Sequence, residues 1–234
     1  FNQYDEYGRK TGYLRTYHSN GKIRYEGYFK NDKPFGKFKR DYPGGTLQAE
    51  MICRENSDNT YARFYYENGK LSAEGKYIDK SKDSVWSYYS SFDGQLIMKE
   101  NYTKGEREGE SLKFYSNNNV SERILFENDK RNGVWEQFYQ DGSVRLRGYY
   151  RDNNRDGEFH TWTGDGKLSI HGNYSDGLMH GTWIYYDENG EVEFVVEYTH
   201  GGMIPDKEFE KKQDEFSRRV QESVGNYSEP EFSF

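Results

Sequence analysis

The hydrophobic pattern of this chain repeats at a nearly constant interval. A residue that precedes an aliphatic side chain by two positions, usually glycine, recurs every 24 or 25 residues, and we call it the turn residue. Its positions are Gly21, Gly45, Gly69, Gly94, Asn118, Gly142, Gly166 and Gly190. A period of this length is typical of proteins built from stacked units, each of which is too small to bury its own apolar face.

Each unit contains two stretches that read as β-strands. Most residues at positions two, four, six and eight after the turn residue are apolar or glycine, as in Val144, Leu146, Gly148 and Tyr150. This alternation predicts a strand with one buried face. In the second stretch the apolar positions fall three apart, and a flat strand would send them to opposite faces. We therefore expect a bulge or a strong bend there.

Two kinds of turn separate these strands. Asn-Gly or Asp-Gly pairs, such as Asn20-Gly21, stand at most of the turn residues, and such pairs predict tight hairpins. The other connection is polar, as in 152–157, and we expect it to be about six residues long. Asn, Asp and Gly suit its left-handed backbone positions.

The repeating unit resembles a known family. Its clearest copy contains Gly166, Leu168, Gly172, Tyr174, Gly181, Trp183 and Tyr186. This pattern resembles the MORN repeat, and more closely the longer bacterial variant found in proteins labelled YwqK-like antitoxins. The resemblance covers roughly residues 1–200, with Ser84, Ser111 and Asn118 as departures from the pattern. It implies a meandering sheet of stacked hairpins that serves in protein or lipid contact.

We therefore predict an all-β fold, an open meander of stacked hairpins in one elongated sheet, with a C-terminal α-helical cap. The repeat array covers residues 1–202, the helix 203–225 and a loose tail 226–234. The helix is predicted because 206–224 is charge-rich, free of Gly and Pro, and carries apolar residues at helical spacing. A partner-binding amphipathic helix is the alternative to a cap.

Composition follows from this architecture. Only 32% of the residues are hydrophobic, yet 18% are aromatic. A meander of short strands has a thin core, and aromatic side chains bury the most area each, about 150–250 Å². Most of the aromatic residues are therefore expected to be structural.

Charge and cysteine content exclude several classes of protein. The net charge of -7 disfavours nucleic acid and anionic membranes as partners, and no stretch is apolar enough for a membrane span. Cys53 is the single cysteine, so it cannot form an internal disulfide, and we expect a small buried hydrophobe.

Candidate chemistry is sparse. His160, His171 and His180 lie in adjacent repeats but at different phases of the unit, so we expect different faces or edges and no shared metal. No nucleophile elbow, phosphate loop or dinucleotide fingerprint is present. We therefore predict no catalytic residues, no metal and no cofactor.

One polar column changes sign along the chain. The residues five positions after each turn residue are Glu26, Glu50, Glu74, Lys99, Arg123, Arg147, His171 and Val195. This column is either a solvated face that keeps the protein soluble or a polarised docking surface for a charged partner.

Some tyrosines fall outside the main apolar columns. They include Tyr13, Tyr28, Tyr61, Tyr88 and Tyr149. Such residues either form an exposed row that stacks on sugars or anchors a peptide, or are buried on the opposite face.

These observations predict a non-catalytic repeat scaffold that mediates protein–protein interaction at the bacterial cell envelope. Alternatives are a module that binds glycan or cell-wall polymer, an antitoxin-like neutralising partner, and an enzyme assembled across repeats. Because the chain begins at Phe1, we expect export to the periplasm or cell surface after signal removal, although a cytoplasmic protein also fits.

Overall fold

The structure, a computed structural model, describes residues 2–54 and 58–204 and contains only β-strands and turns within them. The chain divides into an N-terminal unit, Phe1–Ser143, and a C-terminal unit, Val144–Phe234. The N-terminal unit contains β1 (Gln3–Tyr4), β2 (Lys10–Tyr17), β3 (Ile23–Lys30), β4 (Lys33–Asp41), β5 (Leu47–Cys53), β6 (Asn59–Tyr65), β7 (Leu71–Ile78), β8 (Ser81–Tyr89), β9 (Leu96–Thr103), β10 (Glu106–Phe114), β11 (Val120–Glu127) and β12 (Lys130–Phe138). The C-terminal unit contains β13 (Val144–Arg151), β14 (Asn154–Arg155), β15 (Gly157–Trp162), β16 (Leu168–Ser175), β17 (Leu178–Tyr186), β18 (Val192–Thr199) and β19 (Gly202–Met203).

In each unit successive strands pair antiparallel along the chain, except that β14 and β15 both pair with β13. In the N-terminal unit β10, for example, pairs with both β9 and β11. In the C-terminal unit β16 pairs in the same way with β15 and β17. The predicted all-β meander of hairpins is thus confirmed. The predicted helix within 203–225 and the tail 226–234 lie outside the described residues from 205 onward.

The tight turns and the longer connections lie at each other's predicted positions. Asn31 and Asp32 alone connect β3 to β4, with φ angles of 51° and 65°, which is the left-handed pair of a type I′ hairpin. The expected connection of about six residues was wrong, because both strands continue into the polar positions and Lys30 pairs with Lys33. Asn20-Gly21 lies instead in a longer connection between Tyr17 and Ile23.

The expected irregularity of the second strand is confirmed. The register of β4 shifts at two places. Against β3, the partners of the adjacent residues Gly27 and Tyr28 are Phe38 and Phe35, and against β5 the shift lies between Arg40 and Asp41. Near the first shift stands Gly36 with φ 67°, and in β8 Ser84 takes the equivalent conformation with φ 60°. The loss of the loop glycine at Ser84 therefore leaves the backbone path unchanged.

The two faces of each sheet have different roles. We call inner the face that carries the residues eight and seventeen after each turn residue, and outer the face that carries the residues five after it. The inner face holds most of the buried apolar side chains, among them Leu14, Phe29, Trp86, Phe126, Phe159 and Trp183. Cys53 is buried on the same face, and burial raises the pKa of its thiol, as a small structural hydrophobe would show.

Side chains also connect successive repeats at the edge that carries the longer turns. The Tyr42 hydroxyl donates to the Tyr65 carbonyl at 2.9 Å, and the Tyr66 hydroxyl donates to the Tyr89 carbonyl at the same distance. Each bond spans one repeat, so the longer turns are fixed to one another independently of strand pairing.

Candidate docking surface on the outer face

A single row of opposed residues crosses the outer face of the N-terminal unit from β2 to β7. In the strand register Arg15 lies opposite Glu26, and Glu26 lies opposite Lys39 on its other side. The row continues through Glu50, Arg63 and Glu74. The predicted acidic column is therefore real, but a basic column from the second strand of each hairpin alternates with it.

Arg15, Glu26 and Tyr13 form the first charged cluster of this row. Arg15 Nη2 and Nε donate to Glu26 Oε2 at 2.7 and 3.0 Å, and the Tyr13 hydroxyl donates to the same oxygen at 2.6 Å. The Tyr13 hydroxyl and, next, the Arg15 guanidinium hold the pKa of Glu26 below its usual value. The carboxylate thus stays ionised and fixes the orientation of the arginine.

Two repeats further on, the same arrangement recurs around Glu74. The Tyr61 hydroxyl and Arg63 Nε donate to Glu74 Oε2 at 2.8 and 3.1 Å, and the Tyr89 hydroxyl donates to Oε1 at 2.7 Å. Burial raises the pKa of Glu74, but the three donors outweigh it and leave the pKa below its usual value. Between the two clusters, Glu50 pairs with Lys37 at 2.7 Å.

The basic members of the predicted column have partners of their own. Arg123 Nε donates to Glu136 at 2.9 Å, and Glu136 is only 2% exposed. Glu110 lies 3.5 Å from the same guanidinium. Lys99 Nζ lies 5.9 Å from the centroid of the Phe114 ring. The charge of Arg123 is therefore compensated locally, and a partner-binding role for Lys99, Arg123, Arg147 and His171 stays a prediction.

Apolar side chains remain exposed beside the charged row. Tyr28 and Ile52 are each 50% exposed, and Tyr61 is 41% exposed. The Tyr28 ring lies 5.0 Å from that of Tyr13 and 5.8 Å from that of Phe35. The N-terminal unit thus carries an exposed apolar strip along its charged row.

The other two off-column tyrosines differ from these. Tyr149 is 38% exposed in the C-terminal unit. Tyr88 lies on the inner face, where burial and then its bond with Tyr102 raise the pKa of its hydroxyl. The sequence left exposure and burial open for these tyrosines, and the structure contains examples of both.

The histidines are arranged differently from the prediction. His160 and His171 lie directly opposite each other on β15 and β16, with ring centroids 4.5 Å apart and planes within 9°. Placing them on different faces was wrong, because positions eighteen and five of successive units oppose each other in the register. Burial, and then the neighbouring His171, lowers the pKa of His160. Within residues 2–54 and 58–204, no three His, Cys, Asp or Glu side chains converge as a metal site requires.

This fold and surface define an all-β repeat protein that exposes one face of a hairpin array. The family model of the MORN repeat variant matches five segments, at 10–31, 61–79, 107–128, 131–152 and 179–200. These five segments are therefore similar to the MORN repeat variant, and repeats of this kind are generally associated with scaffolds that bind proteins or membranes. No curated protein matches the sequence. In the part of the chain that the structure describes, no helix has the length and apolar character needed to cross a membrane.

Proposed function

We propose that the protein is a non-catalytic scaffold that binds a protein partner through the outer face of its N-terminal unit. We call this surface the docking face. It comprises Arg15, Tyr28, Lys39, Glu50, Ile52, Tyr61, Arg63 and Glu74, together with the neighbouring Tyr13 and Glu26. The observation that carries the proposal is the exposed apolar strip beside a row of fixed, alternating charges.

The chemistry of this surface suits a protein interface. Tyrosine and arginine are enriched among the residues that dominate binding energy, and both occur here in pairs. Arg15 and Arg63 are already fixed by carboxylates, so binding immobilises them at little further entropic cost. The apolar strip then supplies the area, and the charges supply the specificity.

Charge alternation also constrains the partner. Neighbouring strands lie about 4.8 Å apart, so the row presents a change of sign at roughly that interval. A partner with one uniform charge would meet repulsion at every second position. We therefore infer a partner surface with alternating acidic and basic side chains around an apolar centre.

Site-specific crosslinking tests this proposal. A photoreactive phenylalanine at Ile52 is expected to capture the partner in native cells. The same residue at Arg40, which is exposed on the inner face, serves as the control. Equal capture from both positions would argue against the docking face, whereas capture from Ile52 alone identifies the partner for affinity measurements.

Glycan binding is a second candidate, and the ring cluster of Tyr13, Tyr28 and Phe35 favours it. Partly exposed rings of this kind can stack on sugar faces. Sedimentation with purified cell-wall polymer tests the idea, with Tyr28→Ala against Tyr149→Ala as the matched control. Equal sedimentation of the two variants would oppose it.

The cellular context remains part of the proposal. We propose an exported protein of the bacterial envelope, and fractionation of native cells with an antibody tests that location. Antitoxin-like neutralisation is the special case in which the captured partner is a toxin. Rescue of growth on co-expression with that partner would support it.

A further inference from the structure

The inner face carries a column of cations, each stacked on an aromatic ring of the next repeat. Lys10 Nζ lies 5.4 Å from the Phe29 ring, and Lys82 Nζ lies 4.8 Å from the Tyr102 ring. The guanidinium carbons of Arg107 and Arg155 lie 4.2 and 5.2 Å from the rings of Phe126 and Tyr174. These distances are those of cation–π pairs.

The register shows that these pairs are equivalent. In each pair the cation stands two residues before the residue that lies opposite the ring. Gly12, for example, lies opposite Phe29, and Ser84 lies opposite Tyr102. The same rule therefore gives the residue that occupies the position of the cation in each of the remaining repeats.

Between Lys10 and Lys82 the rule gives no cation. Gly36 lies opposite Cys53, and Thr60 lies opposite Tyr77. Pro34 and Asp58 therefore occupy the two positions that hold cations in the pairs above. At the second of these positions a carboxylate replaces the ammonium or guanidinium group, although the aromatic ring of Tyr77 is retained.

An open depression of about 600 Å³ lies at this interruption. The residues that line it include Lys33, Pro34, Asp58, Tyr77, Asp79 and Lys80. Tyr77 forms one wall and meets the Trp86 ring edge-on, with centroids 4.8 Å apart. The Asp58 carbonyl accepts the Asp79 N–H at 3.1 Å, which joins the two acidic residues at the rim.

We propose that this depression binds a lysine or arginine side chain of a protein partner. The bound cation occupies the position that Lys82 has in the next repeat, with the Tyr77 ring on one side and the Asp58 carboxylate on the other. Lys33 and Lys80 at the rim disfavour a highly charged ligand, so one extended basic side chain fits best. The site lies on the inner face and is separate from the docking face.

A short basic peptide tests the site without knowledge of the partner. The probe is acetyl-Ala-Arg-Ala amide, which carries one basic side chain, and its control is the same peptide with citrulline in place of arginine, which keeps the shape without the charge. Aromatic NMR spectra follow the Tyr77 ring, and calorimetry gives the dissociation constant. We expect the arginine peptide to shift the Tyr77 resonances and the citrulline peptide to leave them unchanged.

Asp58→Arg is the decisive variant, because its own side chain places a cation at the position that Lys82 has in the next repeat. We expect it to keep the circular dichroism spectrum and to weaken peptide binding at least tenfold. Tyr77→Leu is expected to weaken binding similarly, and a double exchange on the docking face, Arg63→Glu with Glu74→Arg, to leave it unchanged.

Three results would overturn the proposal. They are unchanged peptide affinity in folded Asp58→Arg, equal binding of the citrulline peptide, and resonance shifts that map away from Tyr77. Because the docking-face exchange serves as the control, failure here is distinguishable from failure of the docking face.

Discussion

The indole ring of Trp86 packs against the backbone of Gly75 so closely that a Cβ on Gly75 would lie 2.3 Å from Cδ2 of the ring. The same relationship joins Trp183 to Gly172 in the C-terminal unit, where the distance is 2.2 Å. Glycine six residues after the turn residue thus provides the space in which the tryptophan of the same repeat is buried. A thin sheet can in this way bury a large ring against its own backbone.

Gly75→Ala should therefore be strongly destabilising. The added methyl group must displace the buried indole, and overpacking of this kind costs about 1–3 kcal/mol in free energy of unfolding. Urea denaturation measures the change. Gly44→Ala is the matched control, because its Cβ would meet nothing within 4 Å. Equal free energies of unfolding for the two variants would show that burial of the Trp86 ring does not require glycine at position 75.

Glu74→Gln should remove a pH dependence of stability at acidic pH. The folded pKa of Glu74 lies below its reference of 4.5, so its contribution is present above that pH and is lost as the pH falls through the folded value. We expect a loss of about 1–2 kcal/mol at pH 7 and a flatter profile below pH 4.5. Glu67→Gln, in an exposed turn, is the control. Parallel profiles of stability against pH for Glu74→Gln and the unaltered protein would contradict a stabilising role of the contacts around Glu74.

The stacked histidines should make the C-terminal unit sensitive to mild acid. His160 has a folded pKa below its reference of 6.5, because burial, His171 and Arg147 disfavour its charged form while Glu158 favours it. Its contribution is complete above pH 6.5 and declines as the pH falls towards the folded value. An NMR titration of the ring protons measures this, and His160→Gln should flatten stability between about pH 5 and 6.5. A measured His160 pKa at or above the reference value of 6.5 would refute the prediction.

Tyr66→Phe should loosen the contact between two repeats. It removes one hydroxyl that donates to the Tyr89 carbonyl, and we expect a loss of about 0.5–1.5 kcal/mol. Amide hydrogen exchange should accelerate first in the turns at 66–70 and 90–95. Tyr4→Phe, at a residue that is 58% exposed, should change neither quantity. Uniform acceleration across the sheet would mean that the bond has no local role.

The fold could be predicted because the 24-residue period and the alternation of its first strand are strong local signals. The turns were exchanged because Asn-Gly favours a tight hairpin, whereas the actual tight turns use pairs such as Asn31-Asp32 with both φ angles positive. Backbone pairing there continues through polar residues that show no strand pattern.

Only one of the two columns that form the charged row was predicted from the sequence. The prediction covered the residues five after each turn residue but not the residues that lie opposite them on the second strand. A usable signal was present in the spacing of the chain. Arg15 and Glu26 are 11 residues apart, and so are Arg63 and Glu74. His160 and His171 share this spacing. In contrast, the cation–π column could not be found this way, because it depends on the bulge that sets the register.

The central claim is that the docking face binds a protein partner through its fixed charges. The most direct test is the dissociation constant of the captured partner for the double exchange Arg63→Glu with Glu74→Arg. The exchange retains an ion pair within the sheet but reverses the sign that each position presents. Its matched control is Lys113→Glu with Glu122→Lys, an ion pair of 2.7 Å on the inner face.

We predict that the docking-face exchange retains the circular dichroism spectrum and raises the dissociation constant of the partner at least tenfold. The inner-face exchange should leave the affinity unchanged. An unchanged dissociation constant and salt dependence in the folded docking-face variant would contradict the account.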